Sequence, residues 1–137
     1  MKLFLDANII IYWVESAEPH YSKCVTMLRN LCSCYPEFQF AASRLSFLEC
    51  RVKPLRDKNF QLLSKYDQFF HAKDLQLIEL TAHVIDIATE LRSQSGLRTP
   101  DALQVACALS LSLDHDIIFV TGGIRIKNIQ GLSISYI

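Results

Sequence analysis

At 137 residues, half of them apolar, a fifth charged and the formal net charge zero, the chain is expected to fold as one soluble globular domain with one substantial core, residues 1–137. A balanced charge excludes recognition of nucleic acid through a global basic field and leaves room only for a local basic patch. The longest apolar run, Ile9 to Val14, is far too short to span a bilayer, and Asp6 follows Met1-Lys2-Leu3-Phe4-Leu5 too soon for a signal-peptide core. A cytoplasmic protein with no membrane segment is therefore expected. The five cysteines agree with a reducing compartment: the number is odd, and Cys24, Cys50 and Cys107 fall inside helical patterns as small apolar residues do. Cys32-Ser33-Cys34 lacks both zinc-like spacing and a second pair of ligands.

Taken in order, Lys2 to Leu5 reads as a short buried strand ending on Asp6. Ala7-Asn8 leads into a helix that Asn8 could cap, with Ile9 to Val14 too apolar to be exposed. Ser16 to Pro19 is a turn. From His20 to Tyr35, Tyr21, Cys24, Val25, Leu28, Leu31, Cys32 and Tyr35 recur at helical spacing, and Pro36 ends that helix. Phe38 to Ala42 is a second strand. Ser43 caps a helix from Arg44 to Lys53, stopped by Pro54, with Leu45, Leu48 and Val52 on its apolar face. Glu49 falls on that same face, where an unpaired charge would cost on the order of several kcal/mol.

Asp57 is expected to cap a helix through Phe70, with Phe60, Leu63, Tyr66, Phe69 and Phe70 inward. Leu75 to Leu80 is a third strand. Thr81 caps a helix to about Ser95, with Val84, Ile85, Ala88 and Leu91 inward and Gly96 as its stop. The next helix is the most apolar: Thr99 is its expected N-cap, Pro100 its first residue and Asp101 an acid in the first turn. Only Gln104, Ser110 and Ser112 then interrupt the apolar run to Leu113, so this helix is predicted to be buried. Ile117 to Thr121 is a fourth strand, Gly122-Gly123 breaks it, and Leu132 to Ile137 alternates as a closing edge strand. Strands and helices alternating without early hairpins predict an α/β fold: a mostly parallel sheet with helices on both faces.

In such a sheet ligands gather at the carboxyl ends of the strands. Asp6 and Thr121 end strands there, and Glu49 and Asp101 stand near the starts of helices bordering that edge. Asp114-His115-Asp116 precedes the fourth strand and so belongs to the opposite rim, while Glu79 is a weaker extra acid. Asp6, Glu49 and Asp101 can thus share one small volume. Like charges that close raise each other's pKa unless a cation intervenes, and an all-oxygen set suits Mg²⁺ or Mn²⁺. Such an ion can activate a water and neutralise a phosphate during in-line attack, the chemistry of phosphodiester hydrolysis.

Four segments together resemble the PIN-domain nucleases, and most nearly the single-domain VapC toxins of type II VapBC toxin–antitoxin pairs. They are Phe4-Leu5-Asp6-Ala7-Asn8-Ile9-Ile10-Ile11, Ser43 to Glu49, Arg98 to Ala106, and Phe119-Val120-Thr121 with its following turn. The resemblance spans essentially the whole chain. It implies a three-layer α/β/α fold and a metal-dependent endoribonuclease whose acidic cluster binds Mg²⁺ or Mn²⁺. Asp6, Glu49 and Asp101 match the three principal acids, with Asn8 and Thr121 in supporting polar positions. A homodimer and a cognate antitoxin that blocks the site are implied as well. One departure stands out. Many members carry a fourth acid just after the threonine, where this chain has Gly122-Gly123, which would weaken a second metal most.

Arg125 and Lys127, just beyond the glycines, could hold a substrate phosphate or remain solvated. Single-stranded or looped RNA is the expected substrate, because sequence-specific reading of RNA needs splayed bases. Two alternatives stay open. The first is a catalytically weakened or inactive module that binds RNA or protein, motivated by the lost fourth acid. The second is an aspartyl-phosphate enzyme using Asp6, disfavoured because Asn8 occupies the place of the second Asp such an enzyme needs.

Overall fold

The computed structural model describes residues 1–137 and has the element order β1 (Lys2–Leu5), α1 (Ala7–Glu15), α2 (His20–Cys34), β2 (Gln39–Ser43), α3 (Arg44–Arg56), α4 (Phe60–Phe70), β3 (Leu75–Ile78), α5 (Ala82–Ser95), α6 (Thr99–Leu111), β4 (Ile117–Thr121) and β5 (Ser133–Tyr136). The five strands form one sheet in the order β3-β2-β1-β4-β5, and every pair is parallel. From β1 the chain builds outward through β2 to β3, then returns across the sheet to lay β4 and β5 on the other side. The direction of winding therefore reverses between β1 and β4, and a crevice opens beyond their carboxyl ends.

Alternation along the central strands feeds two cores, one on each face. Phe4, Ala41 and Phe119 point into a core with Val84, Ala88 and the buried side of α6. Leu5, Ala42 and Val120 point the other way, into a core with Ile9, Ile10, Cys24, Leu28, Cys50, Tyr66 and Phe70 from α1 to α4. Phe4 and Phe119 stack at 5.5 Å between ring centroids, tying β1 to β4 beneath the crevice. The predicted three-layer α/β/α arrangement with a parallel central sheet is the one found.

Several local expectations hold. Ser43 accepts from the Ser46 N–H and Thr81 from the Val84 N–H, each capping its helix, and Gly96 ends α5 at φ 69°, a conformation glycine adopts without strain.

Others are corrected. Asp6, not Asn8, caps α1, accepting from the Ala7 N–H at 2.8 Å, and Trp13 is partly exposed. Pro54 does not stop α3 but lies within it. A helical φ suits proline, and near a helix end only one backbone bond is lost, while the Pro54 carbonyl accepts from Asn59. The inward face of α3 is Ser46, Cys50 and Pro54, whereas Leu48 and Val52 are exposed, Leu48 by 57%. Asp57 closes α3, Asn59 caps α4, and Phe60 is exposed by 63%. Ile85 also faces outward. On α6 the cap position is Arg98, so Thr99 is already helical and its side chain makes no capping bond. The predicted burial of α6 is observed from Ala102 to Ala108, Leu103 being only partly buried, but the helix ends at Leu111 and Leu113 is exposed. No helix is long and apolar enough to cross a membrane.

Candidate active site

The crevice between β1 and β4 opens into a pocket of about 310 Å³ lined by Asp6, Ala7, Asn8, Ile11, Glu49, Arg98, Pro100, Asp101 and Arg125. The three acids singled out from the sequence are thus brought together from the end of β1, the second turn of α3 and the first turn of α6.

Asp6 is the deepest, only 8% exposed. Its Oδ1 accepts from the Ala7 N–H and its Oδ2 accepts the Thr121 hydroxyl at 2.7 Å, so β4 orients the carboxylate that β1 delivers. Burial raises its pKa and so does the charge of Asp101, while the Thr121 and Ala7 hydrogen bonds and Arg125 pull it down. Glu49 stands at the mouth. The expectation that it lies on a buried apolar face is wrong, because that side of α3 is largely solvent-facing and the residue is exposed. Its pKa is nevertheless raised, by desolvation of the carboxyl first and then by the charges of Asp6 and Asp101. Asp101 is mostly covered and faces Arg125, whose Nε lies 3.8 Å from Asp101 Oδ2.

The turn after β4 is held by its own polar groups. The Gly122 N–H donates to Asn8 Oδ1 at 3.2 Å and the Gly123 N–H to Thr121 Oγ1 at 3.0 Å. Asn8 and Thr121 therefore brace the wall of the pocket. Lys127 is exposed and does not line it. Glu79 is bound to Arg44 outside the pocket. Asp114, His115 and Asp116 are exposed at the amino edge of β4, remote from the site as expected.

Two contributors carried no role in the sequence reading. Arg98 lines the pocket as the residue preceding α6. Gln104, 2% exposed, accepts the Ser43 hydroxyl at 2.7 Å and donates to Ser46 Oγ at 2.8 Å. It also lowers the pKa of Glu49. Gln104 thereby fastens α6, which carries Asp101, to the start of α3, which carries Glu49. A lone amide inside an otherwise apolar helical run was the signal for it.

Three carboxylates with no imidazole or thiol among them are the donor set of a hard divalent cation. No three acid, histidine or cysteine groups converge tightly enough to form a ready-made cage. Mg²⁺ does not need one, since it keeps most of its waters and takes one or two carboxylates together with substrate phosphate. The pocket fits such an ion by its chemistry and its mutual repulsion.

The sequence pattern of the PIN domain family matches residues 3–132. The chain belongs to the PIN domain family. Solved structures agree in fold over nearly the whole length. VapBC2 of Rickettsia felis, bound to a DNA fragment from its promoter, is 25% identical with TM-score 0.75, covering 99% of this chain and 98% of that one. DNA-bound VapBC of Salmonella typhimurium is 15% identical with TM-score 0.74 and the same coverage. A toxin–antitoxin complex of Klebsiella pneumoniae is 18% identical with TM-score 0.70, covering 95% and 94%. No curated protein matches this PIN domain.

Proposed function

We propose that this single PIN domain is a metal-dependent endoribonuclease and the toxin of a toxin–antitoxin pair. The observation that carries the reading is the gathering of Asp6, Glu49 and Asp101 with Arg98 and Arg125 in one pocket at the carboxyl edge of a parallel sheet. Asp6, Glu49 and Asp101 are the residues that would hold Mg²⁺ or Mn²⁺. When bound, such an ion lowers the pKa of a coordinated water and offsets charge on the scissile phosphate. The chain's own groups do the rest. Thr121 and the Ala7 N–H fix the Asp6 carboxylate in one orientation. Glu49, at the mouth of the pocket, is placed to accept the proton of the attacking water. Arg98 and Arg125 offer guanidinium groups to the phosphate. Single-stranded or looped RNA is the substrate this pocket suits, since neutral net charge favours a small footprint.

A cognate antitoxin is supported by the neighbours, which are VapBC or toxin–antitoxin complexes. Exposed apolar side chains on one side of α3, at Leu48, Val52 and Leu55, favour a protein-covered face and a homodimer. Neutral charge and free cysteines fit the cytoplasm. A second reading, a binding module without turnover, rests on Gly122-Gly123, which supplies no fourth acid. Cleavage of RNA by protein purified free of any partner, with Mg²⁺ or Mn²⁺ added, supports the nuclease. RNA binding without cleavage under either ion supports the module.

A further inference from the structure

The pocket holds three acids and two arginines, one excess negative charge when all are ionised. Arg125 is the arginine paired within it. Its Nε is 3.8 Å from Asp101 Oδ2, too long for a hydrogen bond, and its side chain is 62% exposed against 15% for Asp101. The pair is a loose charge contact between a mostly covered acid and an exposed cation that is free to leave. Arg125 also lowers the pKa of Asp6, so its field reaches the deepest carboxylate. A divalent cation drawn to this pocket must therefore displace, or share Asp101 with, a positive charge already there.

We infer that Arg125 is an exchangeable counter-ion: it neutralises Asp101 until a divalent ion takes the carboxylate, and the released guanidinium then binds the RNA phosphate. The inference rests on the nuclease reading above. It assigns one side chain two successive partners of the same charge sign, carboxylate then phosphate, which a planar guanidinium fits equally well. Metal and substrate binding are thereby linked. With no ion on Asp101 the arginine is engaged there, and turning it to a phosphate would leave that acid without its counter-charge. With the ion in place, the arginine and the ion both face the phosphate.

The linkage gives Arg125→Ala effects of opposite sign on two ligands. Removing a like charge beside Asp101 should tighten Mn²⁺ binding by about two- to fivefold, as expected for one partly exposed pair. The same change should weaken binding of a short labelled single-stranded RNA in Ca²⁺, and reduce the slope of log affinity against log salt by about 0.7, one phosphate contact. Arg125→Lys should fall between, retaining charge but not the planar fork. Calorimetric Mn²⁺ titration of the full chain without RNA, with fluorescence anisotropy for the RNA, measures both. Tighter Mn²⁺ with weaker RNA supports the exchange. Equal Mn²⁺ affinity in wild type and variant, or unchanged RNA affinity, overturns it while leaving the nuclease reading intact. No Mn²⁺ binding by the wild type overturns both.

Discussion

Thr121, the last residue of β4, donates its hydroxyl to Asp6, the residue after β1, across 115 positions of sequence. Both groups are buried. The bond spans the crevice at the point where the sheet reverses its winding, and it holds the most deeply buried of the three acids.

Thr121→Val keeps the shape and removes that donor, as well as the acceptor of the Gly123 N–H. Leaving a buried carboxylate short of a hydrogen bond should cost about 1–3 kcal/mol. Urea unfolding at neutral pH measures it. Mn²⁺ affinity should fall as well, because the Asp6 pKa, already raised, moves further up.

Asp6 and Glu49 both have pKa values raised above their ordinary 3.8 and 4.5, chiefly by burial. Across that range the folded chain keeps protons that the unfolded chain has lost. Their contribution to stability is therefore complete below those ordinary values and is lost as pH rises through the raised ones. Compared with wild type in EDTA, an Asp6→Asn, Glu49→Gln double variant should gain stability progressively as pH rises from the ordinary carboxylate range through the raised values. Added Mn²⁺ should narrow the gap by stabilising the wild type alone.

Gln104 bridges the hydroxyls of Ser43 and Ser46, all three buried. Gln104→Leu leaves two hydroxyls without the amide, and a loss of roughly 2–3 kcal/mol is expected. Since the bridge joins α3 to α6, Mn²⁺ affinity should drop with it. Differential scanning calorimetry and Mn²⁺ titration on the same preparation test both.

Much of this was legible in the residues. That Asp6, Glu49 and Asp101 meet in one pocket is legible because acids near the carboxyl edge of a parallel sheet are chemically conspicuous, although the buried face that first singled out Glu49 is not there. The parallel sheet follows from strand–helix alternation. What failed were one-dimensional inferences about faces and ends. Leu48, Val52 and Phe60 read as core because periodicity ranks apolar residues inward, yet tertiary packing turns Ser46 inward instead, where Gln104 satisfies it. Pro54 read as a stop because proline breaks helix interiors, but near a helix end it removes little. The Arg125–Asp101 contact joins α6 to the loop after β4, a distance no local pattern encodes.

The two glycines after β4 are not equivalent. A Cβ on Gly122 would sit 3.1 Å from Tyr12 Cε2, and that ring is stacked on His20, which limits how far it can yield. A Cβ on Gly123 would meet Thr121 Oγ1 and Asn8 Nδ2 only at ordinary contact, 3.6 and 3.7 Å. Gly122→Ala should destabilise by about 1 kcal/mol or more, and Gly123→Ala should stay within about 0.5 kcal/mol of wild type. Thermal melts compare them directly.

The central claim is that the acidic pocket cleaves RNA with the help of a divalent ion. Its most direct test is an RNA cleavage assay on partner-free protein, wild type beside Asp6→Asn, with Mg²⁺, Mn²⁺ or EDTA. The substitution keeps an oxygen for the α1 cap and the shape of the side chain, but replaces the oxygen that accepts the Thr121 hydroxyl with an NH2 donor and removes the charge. Cleavage by the wild type with either ion, absent in EDTA and in Asp6→Asn, is the predicted result. A wild type that cleaves no RNA with either ion, or an Asp6→Asn variant that cleaves as well as the wild type, would contradict it.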